Sequence, residues 1–210
     1  MRFFYVSEQD NESYAFRDQP VLTNHQQVYQ KLIPDMSGAS KQEIHRCDTC
    51  GGLVSKWDEP LLSLKIKKRK YDISITYDGV LVVSDKFKSV CEANHISGLK
   101  FRPLQSEDRF FAAYAVRSVE FDSNRRKTRF LKLCTQCGNY ESVIGATPVF
   151  LIPGTKVGDN EFVRTNLEFG SGDGKSPVLI CGETAAMALN CGHLKGLNLV
   201  PIKENVFSQI

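Results

Sequence analysis

The chain has 210 residues, 41% hydrophobic and 24% charged, the proportions of a globular protein of one domain or two small ones and not of a wholly disordered chain. Its 27 basic and 24 acidic residues leave a formal net charge of +3, too small by itself to imply a nucleic-acid or membrane partner. No apolar run approaches the roughly 18 residues that a spanning helix needs, and the apolar stretch at 3–6 meets Glu8 and Asp10 too early for a signal-peptide core.

The expected compartment is the cytoplasm. The seven cysteines agree with it, because an odd count suits a reducing milieu in which thiols are buried or bind metal.

In chain order, a short strand is expected at 3–6, followed by a polar, irregular stretch over 7–26. A brief apolar patch at 28–33 is stopped by Pro34, and 37–40 reads as a turn or linker. Cys47-Asp48-Thr49-Cys50-Gly51 follows. Between 62 and 77 the pattern alternates, with Ile73, Ile75 and Tyr77 on one face and Ser74 and Thr76 on the other. Asp78-Gly79 predicts a hairpin turn into a buried strand at 80–83. Ser84 caps a helix whose inner face carries Phe87, Val90 and Cys91. Gly98 ends that segment in a left-handed conformation, and 99–102 is a strand closed by Pro103. Strands at 110–121 and 128–133 flank a charged connection, and the second runs into Cys134-Thr135-Gln136-Cys137-Gly138. A short strand at 149–152 and a Gly/Ser/Asp loop at 170–176 complete the reading.

Residues 80–104 align without gaps on 178–202. Val80, Leu81, His95, Gly98, Leu99 and Pro103 match Val178, Leu179, His193, Gly196, Leu197 and Pro201, six identities in 25 positions, where one or two are expected by chance at roughly average residue usage. The two CxxCG motifs recur in the same order, 87 positions apart. The expected fold is α+β, with two related halves, 1–108 and 109–210. Each half has a small, mostly antiparallel sheet and one helix in a strand–helix–strand unit, and a shared metal allows one compact domain.

Cys47, Cys50, Cys134 and Cys137 form a four-thiolate ligand set. Two residues between ligands let one tight turn present both sulfurs to a tetrahedral Zn²⁺, and the following Gly lets backbone N–H groups approach a sulfur. With four protein ligands the expected zinc is structural, one per chain. The competing reading is a disulfide in each CxxC. That context wants a helix after the motif, which Gly51-Gly52 disfavours. Cys91, Cys181 and Cys191 read as buried thiols, His45 as a surface residue near the ligands, and His95 and His193 as helix-end residues.

No catalytic constellation emerges. GxSxG, HExxH, GxxxxGK[ST] and GxGxxG are absent, and 170–176 lacks the spacing, preceding strand and following helix of a phosphate loop. No enzymatic activity is therefore expected. Two basic clusters, Lys65, Lys67, Lys68, Arg69 and Lys70, and Arg125, Arg126 and Lys127, fit either a protected edge strand and a charged hairpin tip or a nucleic-acid contact.

The paired CxxCG motifs, the string VLVVSDKFKSVCEANHISGLKFRPL at 80–104 and the Met-Arg-Phe-Phe-Tyr start together resemble the double-CxxCG family of myxobacterial-type immunity proteins and related bacterial immunity proteins. The resemblance covers about 44–202. It implies a protein that binds and neutralises a cognate toxin, encoded by a neighbouring gene, with the family's cysteines at Cys47, Cys50, Cys134 and Cys137. It supplies no toxin-binding residue. The second half has Gly182-Glu183-Thr184-Ala185 where the first has the SDKF string. If that toxin is acidic, the two basic clusters are the expected interface. The alternative is a zinc-ribbon-like nucleic-acid-binding or regulatory protein.

Overall fold

The computed structural model describes residues 2–16, 21–22, 44–54, 56–57, 61, 64–104 and 107–202; the patch at 28–33 and the turn at 37–40 lie outside them. Among the described residues the chain is mostly sheet, with three α-helices. One sheet has the order β2 (Gln9–Asp10), β5 (Ile73–Ile75), β6 (Leu81–Ser84), β8 (Glu107–Ala115), β7 (Leu99–Leu104). The other has the order β10 (Arg129–Leu133), β11 (Tyr140–Ile144), β12 (Phe162–Ser171), β13 (Ser176–Gly182), β1 (Phe3–Ser7), β14 (Asn198–Ile202), and β9 (Ser118–Val119) adds to β12. A separate pair joins β3 (Val21–Leu22) to β4 (Ile44–His45). Pairing is antiparallel except at β2/β5, β3/β4 and β9/β12.

Each large sheet contains a strand–helix–strand unit: β6, α1 (Asp85–Ala93) and β7 in one, β13, α3 (Glu183–Cys191) and β14 in the other. In each unit a third strand lies antiparallel between the two. That strand is β8 in the first unit and β1 in the second. The N-terminal strand thus completes the sheet of the C-terminal residues, and the boundary expected at 108–109 falls inside β8.

α1, α3 and one face of both sheets share a core that includes Ile73, Val83, Phe87, Cys91, Phe162, Cys181, Ala185 and Leu189. Two further clusters cover other sheet surfaces, one around Val82, Ala112 and Phe110, the other around Val163, Ile180 and Phe169. Burial on both faces explains why all four residues of β6 are buried.

Local chemistry sets the element ends. Ser84 caps α1 by accepting the Phe87 N–H at 3.2 Å. The left-handed residue after α1 is His95 (φ 52°) and after α3 it is His193 (φ 46°), not the expected glycine. Gly98 (φ +91°) and Gly196 (φ +85°) lie three residues later, at the close approach of the two units. There the Phe162 N–H donates to Ser97 O at 2.9 Å, and the Ile73 N–H to Lys195 O at 3.3 Å.

Asp78, in the β5–β6 turn, is buried and accepts from the Ala15 N–H (2.7 Å), the Phe16 N–H (2.7 Å) and the Thr76 hydroxyl (2.6 Å). Asp78→Ala strands these three donors, and about 2–3 kcal/mol of stability should be lost. Urea unfolding should show a lower midpoint at unchanged slope.

Glu8 is half-buried where the chain passes from β1 to β2. Burial pushes its carboxyl up to about 7, and its own backbone hydrogen bond only partly opposes this. Its contribution is fully present below pH ~4.5, where folded and unfolded chains are both protonated, and is lost as pH rises through about 7. Glu8→Gln should therefore gain about 2 kcal/mol over the parent at pH 8 and lose that advantage near pH 4, as read by thermal unfolding across pH.

Several expectations need correction. Ser74 and Thr76 are buried and Tyr77 is exposed, because the polar face of β5 meets the N-terminal segment, with Asn11 Nδ2 donating to Ser74 Oγ at 3.0 Å. Pro103 lies within β7, opposite Phe111; an edge strand tolerates a proline whose missing N–H faces outward. The strand expected at 110–121 starts earlier and breaks after Ala115. The connection at 122–127 contains a short helix, α2 (Ser123–Arg126), capped by the Asp122 carboxylate. Residues 149–152 form one bridge, Phe121 to Leu151, and no strand. The loop at 170–176 is a tight hairpin between β12 and β13.

Candidate metal centre

β4 leads into the first knuckle and β10 into the second. Each is closed by the same pair of backbone bonds: Gly51 N–H to Cys47 O at 2.7 Å and Cys47 N–H to Gly52 O at 2.9 Å, Gly138 N–H to Cys134 O at 2.9 Å and Cys134 N–H to Asn139 O at 2.9 Å. Gly51 (φ +69°) and Gly138 (φ +74°) supply the left-handed turn, with open space where a Cβ would stand.

The Sγ atoms of Cys47, Cys50, Cys134 and Cys137 all lie within 4.8 Å of one another. Cys47 is 3.8 Å from Cys134, and Cys50 is 3.7 Å from Cys137. Four sulfurs about 2.3 Å from one tetrahedral ion would stand about 3.8 Å apart, so the donor set fits a metal. All four are free thiols, and both of these contacts cross between the knuckles. The Thr49 hydroxyl donates to the Gln136 side-chain carbonyl between the knuckles.

The electrostatics ask for a cation. The backbone N–H groups of Cys137 and Gln136 hold Cys134 down to about 7. At Cys50 the Gly52 N–H favours the thiolate, but desolvation and the other three sulfurs push it up to about 12. Four adjacent thiols cannot all ionise without a positive charge among them.

A brace that the sequence reading missed connects the first knuckle to the β12–β13 hairpin. Arg46 donates to Gly51 O at 2.7 Å and pairs with the Asp173 carboxylate at 2.7 Å. Lys56 is buried, and its ammonium donates to Asp173 O at 2.6 Å and to Lys175 O. Burial lowers its pKa, opposed by Glu168, Asp78 and Asp173. The Lys175 ammonium in turn donates to Tyr140 O. The Gly-rich hairpin therefore anchors the knuckle. Its signal in the sequence is only an Arg beside a ligand and a Lys beside Trp57.

An open cleft of about 860 Å³ adjoins the cluster, lined in part by Cys50, Cys134, Trp57, Phe130, Leu133 and Tyr140.

The basic clusters lie elsewhere. Residues 65–70 form no strand. Lys68 pairs with Glu12 at 2.6 Å and Arg69 with the buried Glu107 at 2.8 Å, while Lys65, Lys67 and Lys70 are exposed. Arg125 sits over the Phe150 ring at 4.3 Å, Arg126 donates to Thr147 O at 2.7 Å, and Lys127 is the exposed left-handed cap of α2. Cys91 and Cys181 are buried as expected, but Cys191 is exposed at the end of α3. His45 lies outside the cysteine cluster, and His95 and His193 follow the helices.

Fold and site together define an α+β protein of mostly antiparallel sheets in which four cysteines, two from each knuckle, form one potential metal centre. No protein-family model matches the chain, and no curated protein matches it. No described helix is long and apolar enough to cross a membrane.

Proposed function

We propose that the chain is an immunity protein of the double-CxxCG type, which binds a cognate bacterial toxin and blocks it without covalent chemistry. The four-cysteine cluster carries this reading. It holds one structural zinc, because all four ligands come from the chain and leave no open position for water or substrate. The two halves are an internal repeat. Support comes from the sequence match of 80–104 to 178–202 and from contacts that join positions 87 apart: Cys47 to Cys134, Cys50 to Cys137 and Thr49 to Gln136.

The test is protection. The product of the adjacent gene is expressed in a susceptible host with and without this chain. Growth arrest relieved only by the chain, with copurification of the two proteins, is the expected result. A harmless neighbour, or arrest that the chain does not relieve, rejects the proposal. Retention on DNA with steep salt dependence would then favour the nucleic-acid reading.

A further inference from the structure

We infer that the outer edge of β10 and the cleft beside it dock an extended, acidic segment of a partner protein, which joins the sheet as an added strand. This rests on the reading of the chain as a protein-binding module and specifies the surface and the chemistry of what it takes.

β10 ends its sheet among the described residues, and all five of its residues are exposed. An edge strand leaves backbone N–H and C=O groups open to a further strand, and natural edges are usually blunted by charge, proline or cover. This edge mixes two exposed cations, Arg129 and Lys132, with exposed apolar side chains. Phe130 is 37%, Leu131 43% and Leu133 51% exposed, and Val54, across the cleft, is 53% exposed.

Lys132 has φ +53°, inside the strand. Strict alternation would put Phe130 and Lys132 on one side and Leu131 and Leu133 on the other. The kink at Lys132 lets Phe130, Lys132 and Leu133 all line the cleft. An added strand would therefore find its backbone partners on β10 and, beside it, a cleft that offers both apolar and charged contacts to its side chains.

Charge selects the occupant. Residues 122–144 contain five basic residues (Arg125, Arg126, Lys127, Arg129, Lys132) and two acidic ones (Asp122, Glu141), a net +3 equal to that of the whole chain. The segment that contains β10 is therefore locally cationic, as is the separate cluster of five basic residues at 65–70. Lys132 pairs with Glu141 at 2.7 Å. A second copy of the chain would add another Arg129 and Lys132 to an edge that is already cationic, which disfavours self-association. An acidic strand with alternating apolar residues meets both the charge and the cleft.

The test titrates the ¹⁵N-labelled full chain with a capped peptide, Val-Glu-Val-Asp-Val-Glu, and with its counterpart bearing Lys at every acidic position. The expected result is amide shifts and slowed amide exchange concentrated in 129–133, at least ten-fold weaker with the Lys peptide. Leu131→Asp with Leu133→Asp should weaken the acidic peptide at least ten-fold. Should that variant misfold, Arg129→Glu with Lys132→Glu should do the same through charge alone. Equal binding of both peptides, shifts centred elsewhere, or no shift at millimolar peptide would overturn the inference. So would concentration-dependent dimerisation that protects 129–133 without peptide. Because no toxin is used, protection in the host with no peptide binding at β10 would reject this surface and leave the immunity reading standing.

Discussion

Cys134→Ser should yield a protein without bound metal that is largely unfolded under conditions in which the parent is folded. Metal binding to a four-thiolate structural site contributes on the order of 10–16 kcal/mol near neutral pH. A domain's whole stability is about 5–15 kcal/mol. Losing one ligand also leaves three close sulfurs around a hole, with the backbone N–H groups of Gln136 and Cys137 no longer aimed at a thiolate. The measurements are zinc per chain by elemental analysis and thermal unfolding with and without chelator. Cys191→Ser is the control, because Cys191 is exposed and outside the cluster; it should change neither. A Cys134→Ser protein as stable as the parent, alongside a metal-free parent, would mean the four thiols are not a metal site.

Gly98→Ala should cost about 4 kcal/mol or more, combining left-handed strain with overpacking. The added Cβ would lie 2.1 Å from Phe162 O, at φ +91°. That carbonyl has no easy retreat: its residue is fully buried and held by its own N–H to Ser97 O at 2.9 Å. Gly196→Ala meets Ile73 O at 2.5 Å and φ +85° and should behave similarly. Gly138→Ala supplies the contrast. It has positive φ but nothing within 4 Å of a Cβ, so only the dihedral strain remains, about 1–2 kcal/mol. Urea midpoints of the three variants separate strain from collision, and equal losses at Gly98 and Gly138 would contradict the close docking of the two units.

Features readable in the sequence were those written within a few residues. The two cysteine knuckles followed from CxxCG, because knuckle chemistry is local. α1 followed from Ser84 and the spacing of Phe87 and Cys91, since a cap and a helix period need no distant partner. The Asp78-Gly79 hairpin followed from turn chemistry. Distant partners were invisible. Ser74 reads as an outward residue until Asn11 is known to face it, 63 positions away. Nothing beside Lys56 in the chain marks it as buried, because the hairpin carbonyls of Asp173 and Lys175 that close around it are 117 and 119 positions away. Alternation alone could not show that β1 fills the space between β13 and β14.

That placement bears on the timing of folding during synthesis. β1 is translated long before its neighbours, which begin at residue 176 and end at residue 202. β5 through β8 span only residues 73–115 and can pair as soon as that stretch leaves the ribosome. The other sheet must keep its N-terminal strand waiting, with Phe3, Phe4 and Tyr5 unpaired, until β13 and β14 emerge. Long-range closure of this kind is slow and exposes aggregation-prone apolar segments. A nascent chain should therefore depend on chaperones most in the interval between pairing of β5 through β8 and emergence of β14.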